Sequence, residues 1–131
     1  MAEPLIYLAG PLNHGGLGDY EQNLAAAIHL AEWLEGCGCH VFCPHRAFRT
    51  LRWYAPEPMV LDLCCAVLSV LDPRSTILYL APGWHGSDGS HAEAAVAAQR
   101  GIRVVAADED ATDYEGQTAT LRRLVERYHA D

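Results

Sequence analysis

TILYLAPGWHGSDGSHAEAAVAAQRGIRVVAA, residues 76–107, decides the fold. Its first six residues form an apolar run with no polar face, the pattern of a strand buried on both sides. Pro82 and three glycines, Gly83, Gly86 and Gly89, end that run in a loop. The alanine-rich stretch over residues 90–100 then reads as a helix, and IRVVAA, residues 102–107, as another strand. A strand, a helix and a second strand in that order make a crossover unit, whose right-handedness sets the two strands parallel.

The same alternation extends upstream. Residues 4–9, PLIYLA, read as a buried strand that stops at Gly10-Pro11. After a glycine-bearing loop, Asp19 with Gln22 three residues on gives a capping-box start to a helix that runs to Gly36. Residues 39–43 are β-prone, an arginine-bearing loop follows, and Pro56-Glu57-Pro58 opens a helix to about residue 71. Asp72-Pro73-Arg74-Ser75 breaks that helix before the stretch quoted above. Beyond residue 107 an acidic linker precedes an amphipathic helix over about residues 117–128. The expectation is a single α/β domain spanning residues 1–131, Rossmann-like, with a parallel sheet of four to five strands and helices on both faces. In such sheets ligands bind outside the carboxyl ends of the strands, where strand order reverses. The loops at residues 10–18, 44–53 and 82–89 are therefore the candidates.

Composition narrows the function. A net charge of −8 speaks against a nucleic-acid polymer or an anionic membrane as partner. Three of the nine basic residues nevertheless cluster in HRAFRTLR, residues 45–52, enough for a small anionic ligand. The chain contains no lysine, which excludes Schiff-base and phosphate-loop lysine chemistry. No run approaches the length of a membrane span, the first residues lack the basic flank of a signal peptide, and five cysteines suit a reducing compartment, so the cytoplasm is expected. Cys39 and Cys43, at the two ends of one strand, stand about 13 Å apart at roughly 3.3 Å per residue. A single tetrahedral zinc does not bridge that distance, so no metal is expected.

Glu93 supports two readings. Three residues after Ser90, it fits a capping box whose carboxylate returns to the Ser90 amide. Alternatively, it is a first-turn carboxylate aimed at the crevice and kept ionised by the helix dipole, as attack on a sugar C1′ or stabilisation of an oxocarbenium-like transition state requires. Asp62 is the only charge in MVLDLCCAVLSV, residues 59–70. It is either an acid answering its own helix dipole or a working carboxylate in a helix buried all round. Tyr7 lies near the carboxyl end of the first strand, where a tyrosine is core unless the crevice employs it. His14, His45, His85 and His91 all sit in or near the candidate loops, and no spacing singles out a base. No GxSxG nucleophile elbow is present.

IYLAGP at residues 6–11, Asp62-Leu63 on an apolar helix, and Pro82-Gly83-Trp84 followed by Ser87, Gly89 and Glu93 together resemble the nucleoside 2-deoxyribosyltransferase superfamily, over about residues 5–105. The resemblance implies a flavodoxin-like fold and cleavage of an N-glycosidic bond without metal or organic cofactor. It implies Glu93 as nucleophile, Tyr7 orienting it and Asp62 handling the proton. Gly10, Pro11, Asn13, His45, Trp84, Ser87 and Gly89 would surround the substrate. The transferases carry an aspartate six residues before the glutamate, on the sugar 5′-hydroxyl. Ser87 stands there instead, as in the related 2′-deoxynucleoside 5′-phosphate N-hydrolases, where the serine binds the 5′-phosphate. A hydroxyl at a helix N-terminus donates to phosphate where a carboxylate repels it. Hydrolysis of a nucleoside 5′-monophosphate is thus the leading expectation. Base exchange by a transferase and a non-catalytic nucleotide sensor are its rivals, and a homo-oligomer, dimer or tetramer, is implied.

Overall fold

A computed structural model describes residues 3–12 and 20–130. Asn13, His14 and the Asp19 cap fall outside the described residues. In chain order the elements are β1 (Leu5–Ala9), α1 (Tyr20–Gly36), β2 (His40–Phe42), α2 (Pro44–Ala47), a 3-10 turn (Leu51–Trp53) and α3 (Glu57–Val70). Then come β3 (Thr76–Leu80), a second 3-10 turn (Trp84–Gly86), α4 (Asp88–Arg100), β4 (Arg103–Ala106), α5 (Tyr114–Gln117) and α6 (Ala119–Ala130). Four strands, all parallel, form one sheet in the order β2-β1-β3-β4. From β1 the chain crosses to β2 on one side, and from β3 to β4 on the other. The reversal therefore lies between β1 and β3, where the Ala81 N–H donates to the Ala9 carbonyl at 2.7 Å.

Strand pleating sorts side chains onto two faces. Ile6, Leu8, Ile77 and Tyr79 pack against Leu30 and Leu34 of α1 and Leu121 and Val125 of α6. Tyr7, Ala9, Leu78 and Leu80 face the other way, onto Val60, Cys64 and Leu68 of α3 and Ala97 of α4. All five residues of β3 are buried, as an apolar run without alternation requires of a central strand. Local chemistry sets the boundaries. Asp72 accepts hydrogen bonds from the Arg74 amide and the Ser75 hydroxyl, both at 3.1 Å, making the turn after α3. Gly101, at φ 79°, closes α4, and Ile102 donates back to the Ala97 carbonyl before β4 begins.

Three expectations need correction. The 44–53 loop is instead α2 and a 3-10 turn, because Pro44 at the first helical position preorganises a turn of helix. The acidic linker is not all loop: it contains α5, which ends before the closing helix α6 at the buried Thr118, whose hydroxyl donates to the Tyr114 carbonyl at 2.7 Å. The segment at residues 59–70 is not buried all round. Only the row Val60, Cys64, Leu68 meets the sheet, while Met59, Leu63, Val70 and Asp62 are exposed. With helices on both faces of one sheet, each outer helix has one covered side, so apolar content alone does not bury the rest. Among the described residues no helix is long and apolar enough to cross a membrane.

This packing sets an expectation for denaturation. Leu68→Ala should lower unfolding free energy by about 2–5 kcal/mol in urea titrations, the usual range for a truncated core leucine. Val70→Ala, on the uncovered side of the same helix, should stay within about 0.5 kcal/mol of wild type.

Candidate active site

A cavity of about 410 Å³ opens at the carboxyl ends of β1 and β3, on the face covered by α3 and α4. Gly10, His45, Ser87, Gly89 and Glu93 line it, together with Arg52, Glu57, Leu61, Cys64 and Asp88. Its floor depends on the closeness of two strand ends: a Cβ on Gly10 would stand 3.1 Å from that of Ala81. A second cavity of about 330 Å³ lies on the α1 face, lined by Leu8, Pro11, Leu30 and Tyr114, and Gly10 separates the two.

The start of α4 differs from the sequence expectation. Ser87, not Ser90, is the N-cap: its Oγ accepts from the Ser90 amide at 3.2 Å and from the Ser90 hydroxyl at 3.0 Å. With two bonds accepted, the Ser87 hydroxyl keeps its own proton to donate. Ser90 is thus inside the first turn, and the capping-box reading of Glu93 falls with it. Glu93 sits in the second turn, beyond the strongest part of the helix-end field. Its Oε2 instead accepts a hydrogen bond from the Tyr7 hydroxyl. Pleating had put Tyr7 on this face of β1, and α4 crosses the sheet there.

Burial dominates the electrostatics. Glu93 is 7% exposed. Desolvation raises its pKa from 4.5 to about 7, against the opposing pull of the Tyr7 hydrogen bond and the Arg52 charge. The expectation of a carboxylate held ionised by the helix dipole is therefore corrected: near neutrality Glu93 is poised between its two states. Burial first, and then the neighbouring Glu93 charge, push the Tyr7 phenol far upward, so it remains a proton donor. The same two causes raise the Cys64 thiol to about 12, which keeps it a neutral wall of the cavity. His45 is buried and its pKa falls to about 4 for that reason. The neutral ring donates through Nε2 to the Pro11 carbonyl at 3.1 Å, leaving Nδ1 buried without a partner among the described residues.

Not every residue expected at the site arrives there. Asp62 is exposed and does not line the cavity. Trp84 packs beside the α3–α4 core, its ring 3.9 Å from that of His85 and 5.1 Å from that of His91, and lines neither cavity. Pro11 lines the second cavity and reaches the first only through its carbonyl bond to His45. Asn13 lies outside the described residues. Among the described residues no group of three or more His, Cys, Asp or Glu is placed to hold a metal.

The basic cluster at residues 45–52 does not converge as a unit. Arg46 is held by Glu35 through two bonds of 2.8 and 2.9 Å, Arg49 is exposed, and only His45 and Arg52 reach the cavity. The sequence pattern marks the cluster without separating Arg52 from it, and gives Cys64 no place at the site. A signal was present: Arg52 follows Leu51 directly before Trp53-Tyr54, an apolar setting for a charge.

A family model described as a domain of unknown function, DUF4406, matches residues 4–106. No curated protein and no solved structure matches the chain.

The Glu93 shift implies a stability slope. Below about pH 4.5 the carboxyl is protonated whether the chain is folded or not. Between there and about pH 7 only the folded chain keeps the proton, so raising the pH favours unfolding, and above pH 7 the penalty is constant. The full penalty is on the order of 3 kcal/mol. Denaturant titrations should show Glu93→Gln gaining stability over wild type across this window by that order. Parallel pH profiles for the two proteins would contradict the assignment.

Proposed function

The chain belongs to the DUF4406 family, and from the geometry of its cavity we propose that it hydrolyses the N-glycosidic bond of a nucleoside 5′-monophosphate. The observation that carries this reading is the buried Tyr7–Glu93 contact at the edge of a cavity on the strand-order reversal. Tyr7 occupies one carboxylate oxygen, which orients the other toward the substrate. In the proposed reaction the ionised Glu93 attacks C1′ and the C1′–N bond breaks with its electron pair passing to the base. The base takes a proton, and water then attacks C1′ and releases Glu93. Asp62 stands outside the lining, so the proton of the leaving base comes from water at the open mouth, beside the exposed Glu57 and Asp88. The Ser87 hydroxyl proton and the positive end of α4 at Gly89 suit the phosphate.

The resemblance to the nucleoside 2-deoxyribosyltransferase superfamily is part of this proposal and favours the same chemistry. Five free cysteines support a cytoplasmic setting. Exposed Trp53, Tyr54, Met59, Leu63 and Val70 support a homo-oligomer. One observation favours a second reading. Asp88 adds a carboxylate to the first turn of α4, where it opposes a phosphate and suits an uncharged nucleoside. Under that reading the protein is a deoxyribosyltransferase, and base exchange would outrun release of free sugar.

A panel of nucleosides and their 5′-monophosphates, assayed for free base, tests the proposal. Glu93→Ala and Glu93→Gln should each lose at least about a hundred-fold in single-turnover rate. Unchanged rates would remove the mechanism. Because the nucleophile must be ionised, the wild-type rate should climb with pH through about 7. Tyr7→Phe removes a bond that lowers the Glu93 pKa and should move this limb to higher pH.

Gly89 offers a separate check. An added Cβ there meets only Leu61 Cδ1 at 3.8 Å and Ser87 Oγ at 3.9 Å, ordinary contacts. Gly89→Ala should therefore melt like wild type yet raise KM about ten-fold or more by intruding on a group seated at the helix end. An unaltered KM would place the substrate elsewhere.

A further inference from the structure

Arg52 has too few partners for its burial. Its side chain is 7% exposed, and the 3-10 turn that carries it is fastened by the Arg52 amide bond to the Phe48 carbonyl at 3.1 Å. A guanidinium stays charged and presents a fork of five donors. Among the described residues its side chain makes two long bonds from a single nitrogen, Nη1, to Glu57 Oε1 at 3.2 Å and Oε2 at 3.4 Å. Nε is buried and has no partner among the described residues. A buried charge with an unfilled donor is costly unless an acceptor arrives. Arg52 also lines the cavity with Ser87, Gly89 and Glu93, so the acceptor would come from the bound molecule.

Glu57 makes a displaceable partner. It lies in the first turn of α3, where the helix end favours its charge, and its side chain is 47% exposed. Moving it into solvent breaks only a half-screened pair of poor geometry. We propose that Arg52 selects for the phosphorylated substrate by taking the oxygens of its 5′-phosphate, and that Glu57 is the carboxylate this phosphate displaces. Two oxygens of a phosphate monoester match the Arg fork, which Glu57 meets through one nitrogen only. The inference rests on the nucleotide reading above, and it settles the tension raised by Asp88. That exposed carboxylate is screened by solvent, whereas the charge of Arg52 is not.

Calorimetric binding of 2-deoxyribose 5-phosphate, 2-deoxyribose and inorganic phosphate tests it without any base present. Wild type should bind the sugar phosphate about ten-fold or more tighter than the sugar. Arg52→Gln should abolish that preference while leaving the sugar unchanged. Glu57→Gln, an exposed substitution that leaves the fold alone, should tighten the sugar phosphate by about three- to ten-fold through loss of the competitor. Inorganic phosphate should compete with the sugar phosphate in wild type and fail to do so in Arg52→Gln. No preference in wild type, a preference that survives Arg52→Gln, or sugar-phosphate binding that Glu57→Gln leaves unchanged or weakens would each overturn the proposal. Base release from an unphosphorylated nucleoside alongside those failures would leave the N-glycosidase reading standing. Sugar-phosphate binding through Arg52 with no base released from any nucleotide would do the reverse.

Discussion

A phenol on a strand and a carboxylate on a helix, 86 residues apart in the chain, meet in the buried Tyr7–Glu93 contact. The contact needs β1 beside β3 in parallel register, Tyr7 on the α3–α4 side of the pleat, and α4 entering the sheet edge from its Ser87 cap. Each requirement is met by ordinary packing, and together they take a carboxylate out of water with one strong donor. The desolvation that raises its proton affinity also stores a stability penalty at the cavity, as functional sites commonly do.

That penalty gives the site its character. Among the described residues the cavity holds Glu57, Asp88 and Glu93 against Arg52 as its one arginine, and the residues between them are small, apolar or neutral. His45 and Cys64 are buried into their uncharged forms, so neither competes with Glu93 as the titrating group near neutrality. A parallel sheet with a strand-order reversal supplies such a crevice for many chemistries, so the fold by itself names none of them. What distinguishes this crevice is the carboxylate, its phenol partner and the arginine that shares the cavity.

Legibility varied by element, for physical reasons. The three runs at residues 4–9, 76–81 and 102–107 are β1, β3 and β4 to within two residues at either end: the central strands β1 and β3 are almost wholly apolar, and the edge strand β4 admits the exposed Arg103. The 44–53 segment was harder, since a four-residue helix leaves no periodicity to read. At α4 two serines, Ser87 and Ser90, both satisfied the capping rule. The choice between them turned on which Oγ points back along the helix. Asp62 misled because composition reports how apolar a helix is and not which of its sides is covered.

Residue order alone established a parallel α/β domain, the loops at its carboxyl edge and the candidacy of Glu93, since local propensity and hydrophobic pattern are written along the chain. Tertiary structure decided that Glu93 bonds Tyr7, the partner the family resemblance implied, rather than capping its own helix. It also decided that Asp62 stands outside the cavity, and that Arg52 leaves its basic neighbours to stand inside. Partners of a buried charge are chosen by distance and desolvation across elements far apart in sequence, and no local pattern encodes either quantity.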